Sequence, residues 1–245
     1  DAHQRGDPLR LLRAADVDFN VAAIVDSMRK ADKAGVQLLT FPEMAITGYT
    51  IGDLVQHQSL LSAAERGLRI ILEESTKTGL VVVVGMPVQA EGKVFTCGVA
   101  LGSGRVLGVV PKTLLAGHKE FYESRWFSSS REASGNTVEL AGQVVPFGTD
   151  VLFRLRGITS AVFGVEVCED LWVPLSPHEY QAMAGATILL NLSASNEVIG
   201  KTEWRRTIVA SESGRCAAAY CYVSAGTGES SNDVVFGGHA LIAEN

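Results

Sequence analysis

Apolar residues in the first third of the chain alternate between helical and strand spacing. A helix is predicted from Asn20, a residue type suited to capping, to Gly35, and a second helix ends at Gly79. Each helix is followed by a short apolar-rich run, residues 36–41 and residues 80–85, which is typical of a buried strand. The helical spacing rests on Val21, Ile24, Val25, Met28 and Ala31 in the first helix and on Leu60, Leu61, Ala64, Leu68, Ile71 and Leu72 in the second.

The middle of the chain has a different pattern, that of strands joined by tight turns. Residues 94–101 and residues 105–110 flank a Gly-Ser-Gly turn, which predicts a β-hairpin, and residues 137–155 predict further hairpin strands. Residues 116–136 between them have loop composition, but their aromatic residues predict a loop that packs inward and lines a site. These aromatic residues are Phe121, Tyr122, Trp126 and Phe127.

The last third returns to alternating strands and helices. A strand leads into Cys168, and a strand pair is predicted over residues 234–242 around Gly237 and Gly238. Residues 1–17 predict no clear strand, because charged residues interrupt their leucines. The alternation predicts a single domain of the α/β class. Its remaining elements are a helix over residues 177–184, a strand over 187–192, a helix over 201–218 and a strand over 220–225.

Composition narrows the class of protein. The chain has 245 residues with 47% hydrophobic content, which is enough for one large core. Its formal net charge is -6 and its basic residues are scattered, so nucleic acid and anionic membranes are not expected as partners. Its apolar runs are too short for a membrane span, and residues 1–7 lack the pattern of a secretory signal, so we expect a cytoplasmic protein. The four cysteines have no paired metal-binding spacing, and we expect neither a metal site nor disulfides.

Three predicted strands end in reactive residue types, Glu43, Lys112 and Cys168. A carboxylate can take the proton of a thiol and return it to a departing amine, while an ammonium favours the thiolate and stabilises an oxyanion. The backbone N–H of Glu169, the next residue, would be a second donor to that oxyanion. Together these groups predict hydrolysis of a carbon-nitrogen bond. Each residue also fits a structural role: Glu43 as a solvated loop acid, Lys112 as an exposed strand-end lysine and Cys168 as a core thiol.

The residues around these positions resemble the nitrilase superfamily, whose members use a Glu-Lys-Cys triad. The matching motifs are Phe41-Pro42-Glu43-Met44, Pro111-Lys112 and Cys168-Glu169-Asp170-Leu171-Trp172. The two acids after the cysteine are most similar to the glutaminase domains of glutamine-dependent NAD synthetases. The resemblance implies a four-layer α-β-β-α sandwich and one glutaminase domain over residues 1–245, which we expect to stop before a C-terminal synthetase domain.

The resemblance also implies a role for each site residue. Glu43 is then the general base, Lys112 the oxyanion and positioning residue, and Cys168 the nucleophile that forms a γ-glutamyl thioester. Glu169 suits the α-ammonium of glutamine and Lys201 its α-carboxylate. The implied glutamine pocket further includes Tyr49, Phe121, Trp172 and Ser195, with either Glu123 or Glu120 as a second carboxylate at the catalytic site. Core packing for the two aromatic residues Phe121 and Trp172, and solvation for Lys201, remain the alternatives.

The implied reaction is hydrolysis of L-glutamine to glutamate and ammonia. The ammonia would pass to the synthetase domain, where ATP and Mg would be used to amidate deamido-NAD, so no cofactor is expected in this domain. A homo-oligomer is also expected. Two other functions remain open: a stand-alone amidase or carbamoylase of the same superfamily, and a catalytically silent structural subunit.

One segment departs from the family pattern. Family members commonly carry a Pro and a Tyr where this chain has Leu115-Ala116-Gly117-His118. His118 then either replaces the tyrosine hydroxyl as a hydrogen-bonding group or faces solvent.

Overall fold

Two β-sheets pack face to face between helical layers in the computed structural model, which describes residues 12–231 and 233–244. The helices are α1 (Val17–Lys33), α2 (Gln58–Ser75), α3 (Pro177–Met183) and α4 (Lys201–Cys216). The strands are β1 (Leu38–Thr40), β2 (Val81–Ala90), β3 (Lys93–Gly102), β4 (Arg105–Pro111), β5 (Thr137–Leu140), β6 (Gln143–Pro146), β7 (Phe153–Arg154), β8 (Val162–Val167), β9 (Ile188–Ser193), β10 (Ala219–Ser224) and β11 (Ala240–Ala243). Short 3-10 helices cover Gly52–Gln56, Glu123–Arg125, Ser130–Glu132, Cys168–Trp172 and Thr227–Glu229.

The sheet order explains where the strand ends meet. The first sheet has the order β1-β2-β3-β4, with β1 parallel to β2 and the other pairs antiparallel. The second has the order β11-β10-β9-β8-β7, in which β8, β9 and β10 are parallel. Strands β5 and β6 form a separate hairpin. Because β8, β9 and β10 are parallel neighbours, their carboxyl ends lie at one edge of the sheet, which is where α/β folds place ligands.

The core lies between the two sheets and on both of their outer faces. Val83 and Ala100 of the first sheet pack with Phe163 and Val165 of the second. The sheets approach closely at Gly98, where a Cβ would lie 2.7 Å from Cγ1 of Val165. Helices α1 and α2 cover one outer face, and α3 and α4 cover the other. The predicted four-layer α-β-β-α sandwich is therefore confirmed.

The first helix begins earlier than the sequence predicts. Its cap is Asp16, whose Oδ1 accepts the Phe19 N–H at 3.1 Å. Asn20 is buried inside the helix, and its side chain bonds the backbone of Arg13 at 2.8 Å and the carbonyl of Ile46 at 3.1 Å. The predicted cap at Asn20 was wrong because this polar side chain is used in a tertiary contact.

Two strand predictions also differ from the structure. β2 runs past Gly85 to Ala90 and forms a hairpin with β3, and Pro87 is paired with Thr96 within it. The strand pair predicted over residues 234–242 is instead a bridge between Phe236 and Asn196 followed by β11, which pairs with β10.

The described part of the chain begins at residue 12. Of residues 1–17, the first eleven lie outside the described ranges, and residues 12–16 form a turn that leads into α1. No helix in residues 12–231 or 233–244 combines the length and the apolar character needed to cross a membrane.

Candidate active site

Strand ends bring the three predicted catalytic residues to one edge of the sandwich. Glu43 lies in the turn after β1, Lys112 follows β4 directly and Cys168 follows β8. The backbone N–H of Glu43 donates to the carbonyl of Ser193 at 3.3 Å, which joins the first sheet to the end of β9 in the second. The backbone N–H of Lys112 donates to the carbonyl of Thr96 at 2.9 Å. Both residues are thus positioned by backbone contacts as well as by their side chains.

A glycine allows the turn that carries Glu43 to pack closely. A Cβ at Gly85 of β2 would lie 2.2 Å from the carbonyl oxygen of Pro42 and 2.7 Å from the Cα of Glu43. Any larger residue at this position would push the turn away from the sheet.

Lys112 is fully buried between two carboxylates. Its Nζ lies 3.0 Å from Oε1 of Glu43 and 2.8 Å from Oε1 of Glu123. Oε1 of Glu43 also accepts the hydroxyl of Thr96 at 3.1 Å. The second oxygen of Glu43, Oε2, is buried and has no hydrogen-bond partner within the described part of the chain. That oxygen is available to take a proton from a group entering the site.

The three charged groups shift one another's protonation. Burial raises the pKa of Glu43 to about 7, which Lys112 opposes and Glu123 reinforces. Burial disfavours the ammonium of Lys112, but Glu123 and Glu43 outweigh this and hold the pKa of Lys112 well above its usual value. Lys112 is therefore charged at neutral pH, whereas Glu43 exchanges between its ionised and protonated forms.

Cys168 combines burial with an unusual backbone conformation. Its φ is 47°, in the left-handed region that is costly for any residue with a Cβ, and it is 5% exposed. Burial raises the pKa of its thiol; the charge of Lys112 lowers it, and Glu43 and Glu123 raise it further. The ammonium alone would favour a thiolate, but burial, together with the two carboxylates, outweighs its effect on the thiol pKa. The resting sulfur is a thiol, and its deprotonation requires a base.

Sequence reasoning missed two residues that support the triad. Asp170 joins the loop after Lys112 to the turn of Cys168: its Oδ1 accepts the N–H of Leu114 at 2.8 Å, and its Oδ2 accepts that of Val167 at 3.1 Å. Thr96 binds Glu43 from the middle of β3. A signal existed for each, since Asp170 lies in the matching motif and Thr96 is a polar residue in an apolar run.

A pocket of about 570 Å³ opens in front of Cys168. Five of the predicted substrate-binding residues line it, Phe121, Glu169, Trp172, Ser195 and Lys201. His118 also lies on its wall, with a side chain 58% exposed and Nδ1 3.6 Å from Oε1 of Glu169. The departure at His118 therefore lies where it can contact both solvent and the occupant of the pocket.

The pocket walls carry charges of both signs. Nζ of Lys201 lies 5.1 Å from the ring centre of Trp172 and contacts Oδ1 of Asn196, a residue that sequence reasoning missed. The Asn196 amide in turn contacts Glu120. Burial raises the pKa of Glu169 and lowers that of Lys201. A carboxylate and an ammonium on the same pocket complement the ammonium and the carboxylate of an amino acid.

Two predicted pocket residues, Tyr49 and Glu123, are not among the described residues that line this pocket. The hydroxyl of Tyr49 donates to Oε1 of Glu123 at 2.7 Å, and Tyr49 borders a smaller cavity of about 30 Å³. Glu123 is fully buried, and its Oε2 accepts the N–H of Ala116 at 2.8 Å. Of the two candidate carboxylates, Glu123 contacts Lys112, whereas Glu120 lies on the pocket wall.

Comparison with known proteins gives close relatives of this chain. It is 41% identical over 230 residues to the glutamine-dependent NAD(+) synthetase of Mycobacterium tuberculosis H37Rv and 29% identical over 242 residues to that of Saccharomyces cerevisiae. These matches cover 94% and 95% of this chain but 34% and 33% of the relatives. The chain thus spans about a third of the length of the relatives that it matches.

Solved structures agree with the fold. A glutamine-dependent NAD(+) synthetase from Cytophaga hutchinsonii matches with a TM-score of 0.80 and 30% identity, over 96% of this chain and 37% of that chain. An amidase from Nesterenkonia sp. matches with a TM-score of 0.73 and 18% identity, over 95% and 79%, which is a likeness of fold alone. The model of the family described as "Carbon-nitrogen hydrolase" matches residues 4–245. Because that match spans nearly the whole sequence, the chain belongs to the carbon-nitrogen hydrolase family.

Proposed function

We propose that this chain is the glutaminase part of a glutamine-dependent NAD synthetase. The observation that carries the proposal is the buried Glu43–Lys112–Glu123 cluster beside Cys168, at the base of a pocket with an acid and a lysine on its walls. The similarity to NAD synthetases over almost the whole chain supports the same conclusion.

Glutamine fits the chemistry of the pocket. Glu169 pairs with the α-ammonium of the substrate and Lys201 with its α-carboxylate, while Phe121 and Trp172 contact its aliphatic part. Ser195 has a buried hydroxyl without a hydrogen-bond partner among the described residues, so it can bind the substrate. This arrangement would direct the γ-amide towards Cys168.

The first half of the reaction forms a thioester. Glu43 takes the thiol proton of Cys168 as the sulfur attacks the γ-carbonyl carbon, and Lys112 and the backbone N–H of Glu169 stabilise the oxyanion. The tetrahedral intermediate collapses with cleavage of the C–N bond. The proton held by Glu43 passes to the departing nitrogen, so ammonia leaves and a γ-glutamyl thioester remains.

The second half hydrolyses the thioester. Glu43, now ionised, takes a proton from a water molecule that attacks the thioester carbon. The same oxyanion donors act again, the C–S bond breaks, and the proton returns to the sulfur of Cys168. Glutamate is released and the resting thiol is restored.

The proposal extends to the whole protein. The ammonia would be used by a synthetase domain that amidates deamido-NAD with ATP and Mg, and no cofactor is needed for the glutaminase step itself. A cytoplasmic homo-oligomer is part of the proposal.

Substrate preference separates this function from that of a stand-alone amidase. The complete native polypeptide is assayed for ammonia release from L-glutamine and from simple aliphatic amides. Preference for glutamine supports the proposal. Rapid hydrolysis of the aliphatic amides with no action on glutamine would instead support the amidase.

Thiol labelling separates it from a catalytically silent subunit. A glutamine-like electrophile should add to Cys168 and leave Cys97, Cys216 and Cys221 unmodified, as read by peptide mass spectrometry. Pre-incubation with L-glutamine should slow the labelling. A protein in which Cys168 remains unmodified would be a structural subunit.

A further inference from the structure

A second buried polar network lies behind the nucleophile, on the face of the second sheet that is covered by α3 and α4. Glu166 of β8 and Asn191 of β9 are paired in register, and both are at most 1% exposed. The proposed catalytic steps use neither residue. Buried polar side chains of this kind are costly unless they are fully hydrogen-bonded, so their contacts indicate what they do.

Asn191 binds the carbonyl of the nucleophile. Its Nδ2 donates to the carbonyl oxygen of Cys168 at 3.4 Å and to Oε1 of Glu166 at 2.9 Å. Its Oδ1 accepts the hydroxyl of Ser193 at 2.7 Å. The orientation of the amide is therefore determined by its partners, because only the NH2 group can donate to a carboxylate and to a carbonyl.

Glu166 is held from the other side. Its Oε2 lies 3.0 Å from Nδ1 of His178 and 3.2 Å from the backbone N–H of the same residue. Its Oε1 accepts the hydroxyl of Tyr220. The carboxylate is thus bound from α3 and from β10, and its remaining contact orients Asn191.

The hydrogen bond from Asn191 to the carbonyl of Cys168 also orients the N–H of Glu169. The carbonyl of Cys168 and the N–H of Glu169 belong to one planar trans peptide unit, in which the two bonds point in opposite directions. Fixing the carbonyl towards Asn191 therefore fixes the N–H of Glu169 away from it. Cys168, whose φ of 47° is otherwise costly, is stabilised by the same contact.

We infer that Asn191, oriented by Glu166, is a positioning residue for the oxyanion-binding N–H of Glu169. The inference rests on the proposed glutaminase function. It predicts that loss of the Asn191 amide weakens stabilisation of the tetrahedral intermediate, while glutamine binding and the thiol itself are left largely unchanged. Asn191 touches neither the substrate nor the sulfur in the proposed mechanism.

The test compares two reactions of the same thiol. Asn191→Leu in the complete native polypeptide should lower kcat for glutamine hydrolysis about 10- to 100-fold, with little change in KM. Alkylation of Cys168 by iodoacetamide should stay within about 3-fold of the wild-type rate, because displacement at a saturated carbon develops no oxyanion. A variant that merely disrupts the nucleophile would slow both reactions equally.

Gln181→Leu is the matched control. Gln181 is also a buried amide, and its Nε2 donates to the carbonyls of Val165 in β8 at 2.8 Å and of Thr149 at 3.3 Å. Within the described part of the chain it has no hydrogen bond to Cys168. Its kcat should stay close to that of the wild type. If Asn191→Leu does not fold, Asn191→Ser removes the Nδ2 amide without adding an apolar branch. The same loss of kcat is expected for this variant, and a normal kcat would overturn the inference.

The outcomes are separable. A normal kcat in the folded Asn191 variant, or equal losses in hydrolysis and alkylation, would overturn the inference. A wild-type protein that does not hydrolyse glutamine would overturn the proposed function instead. Selective loss of hydrolysis in the Asn191 variant supports both.

Discussion

Glu43 is buried beside a second carboxylate and a lysine, and its pKa is raised to about 7. A general base must be ionised to take a proton, so its usefulness decreases as pH falls through that value. The neighbouring lysine keeps its charge in this range because its own pKa is raised. The acid limb of the activity profile is therefore assigned to Glu43.

We predict that kcat/KM for glutamine rises as the pH is raised to about 7, because Glu43 becomes ionised, and that this rise levels off above pH 7. Glu43→Gln should lose activity by about 100-fold or more, the usual scale for loss of a general base. The residual kcat/KM of this variant should not show the same rise with pH. Initial rates from pH 5 to pH 8 check this, and an unchanged limb in Glu43→Gln would assign it to another group.

Lys112 is predicted to matter through its charge. Lys112→Ala removes an oxyanion donor and leaves Glu43 and Glu123 facing each other, so hydrolysis should fall by about 100-fold or more. Steady-state rates measure the loss. Lys93→Ala, which removes a half-exposed lysine that pairs with Glu132, is the control. A near-normal rate in Lys112→Ala would make this lysine structural.

At the scale of elements, the packing of the Glu43 turn on β2 is the feature that sets the site. Gly85→Ala would introduce a Cβ 2.2 Å from the carbonyl oxygen of Pro42. We predict a loss of about 1–3 kcal/mol in unfolding free energy and a lower kcat, since the turn must move. Denaturant unfolding and glutamine hydrolysis measure the two effects.

Gly79→Ala is the control for this prediction, because a Cβ there would meet no atom within 4 Å. If both alanine variants behaved alike, close packing at Gly85 would not be what positions Glu43.

The sequence predicted the helices and strands well where the apolar residues of the pattern are the ones that the fold buries. α2, β4, β8 and α4 are found near their predicted positions. The buried residues of α2 follow a helical period, whereas β8 is a short apolar run that is buried on both faces. Asn20 failed as a cap because its amide serves a contact distant in sequence. The motif pointed to Asp170 but not to its partners, because Asp170 and Asn191 bind backbone groups whose direction depends on the fold.

The predicted site residues were brought to one place, but not all to one surface. Resemblance to a family named Glu123 and Glu120 as alternatives, and only the folded geometry puts Glu123 on Lys112. Tyr49 was expected in the pocket, and its hydroxyl donates to Glu123. Spacing along the chain does not predict which of these residues line the pocket and which bind the buried carboxylate.

At the scale of the molecule, the chain is a carbon-nitrogen hydrolase domain that matches about a third of longer relatives. The proposed division of labour is that this domain releases ammonia and a synthetase domain uses it. Each half is then separately testable, because external ammonia replaces the product of the first half.

The most direct measurement is NAD synthesis by the complete native polypeptide carrying Cys168→Ala, with either glutamine or ammonium as the nitrogen source. Cys221→Ala, at a cysteine outside the site, is the control. We predict that Cys168→Ala abolishes glutamine-dependent synthesis and largely retains ammonium-dependent synthesis, because the nucleophile serves only the release of ammonia. Equal loss of both activities, or retention of both, would contradict the central claim that this domain supplies ammonia through Cys168.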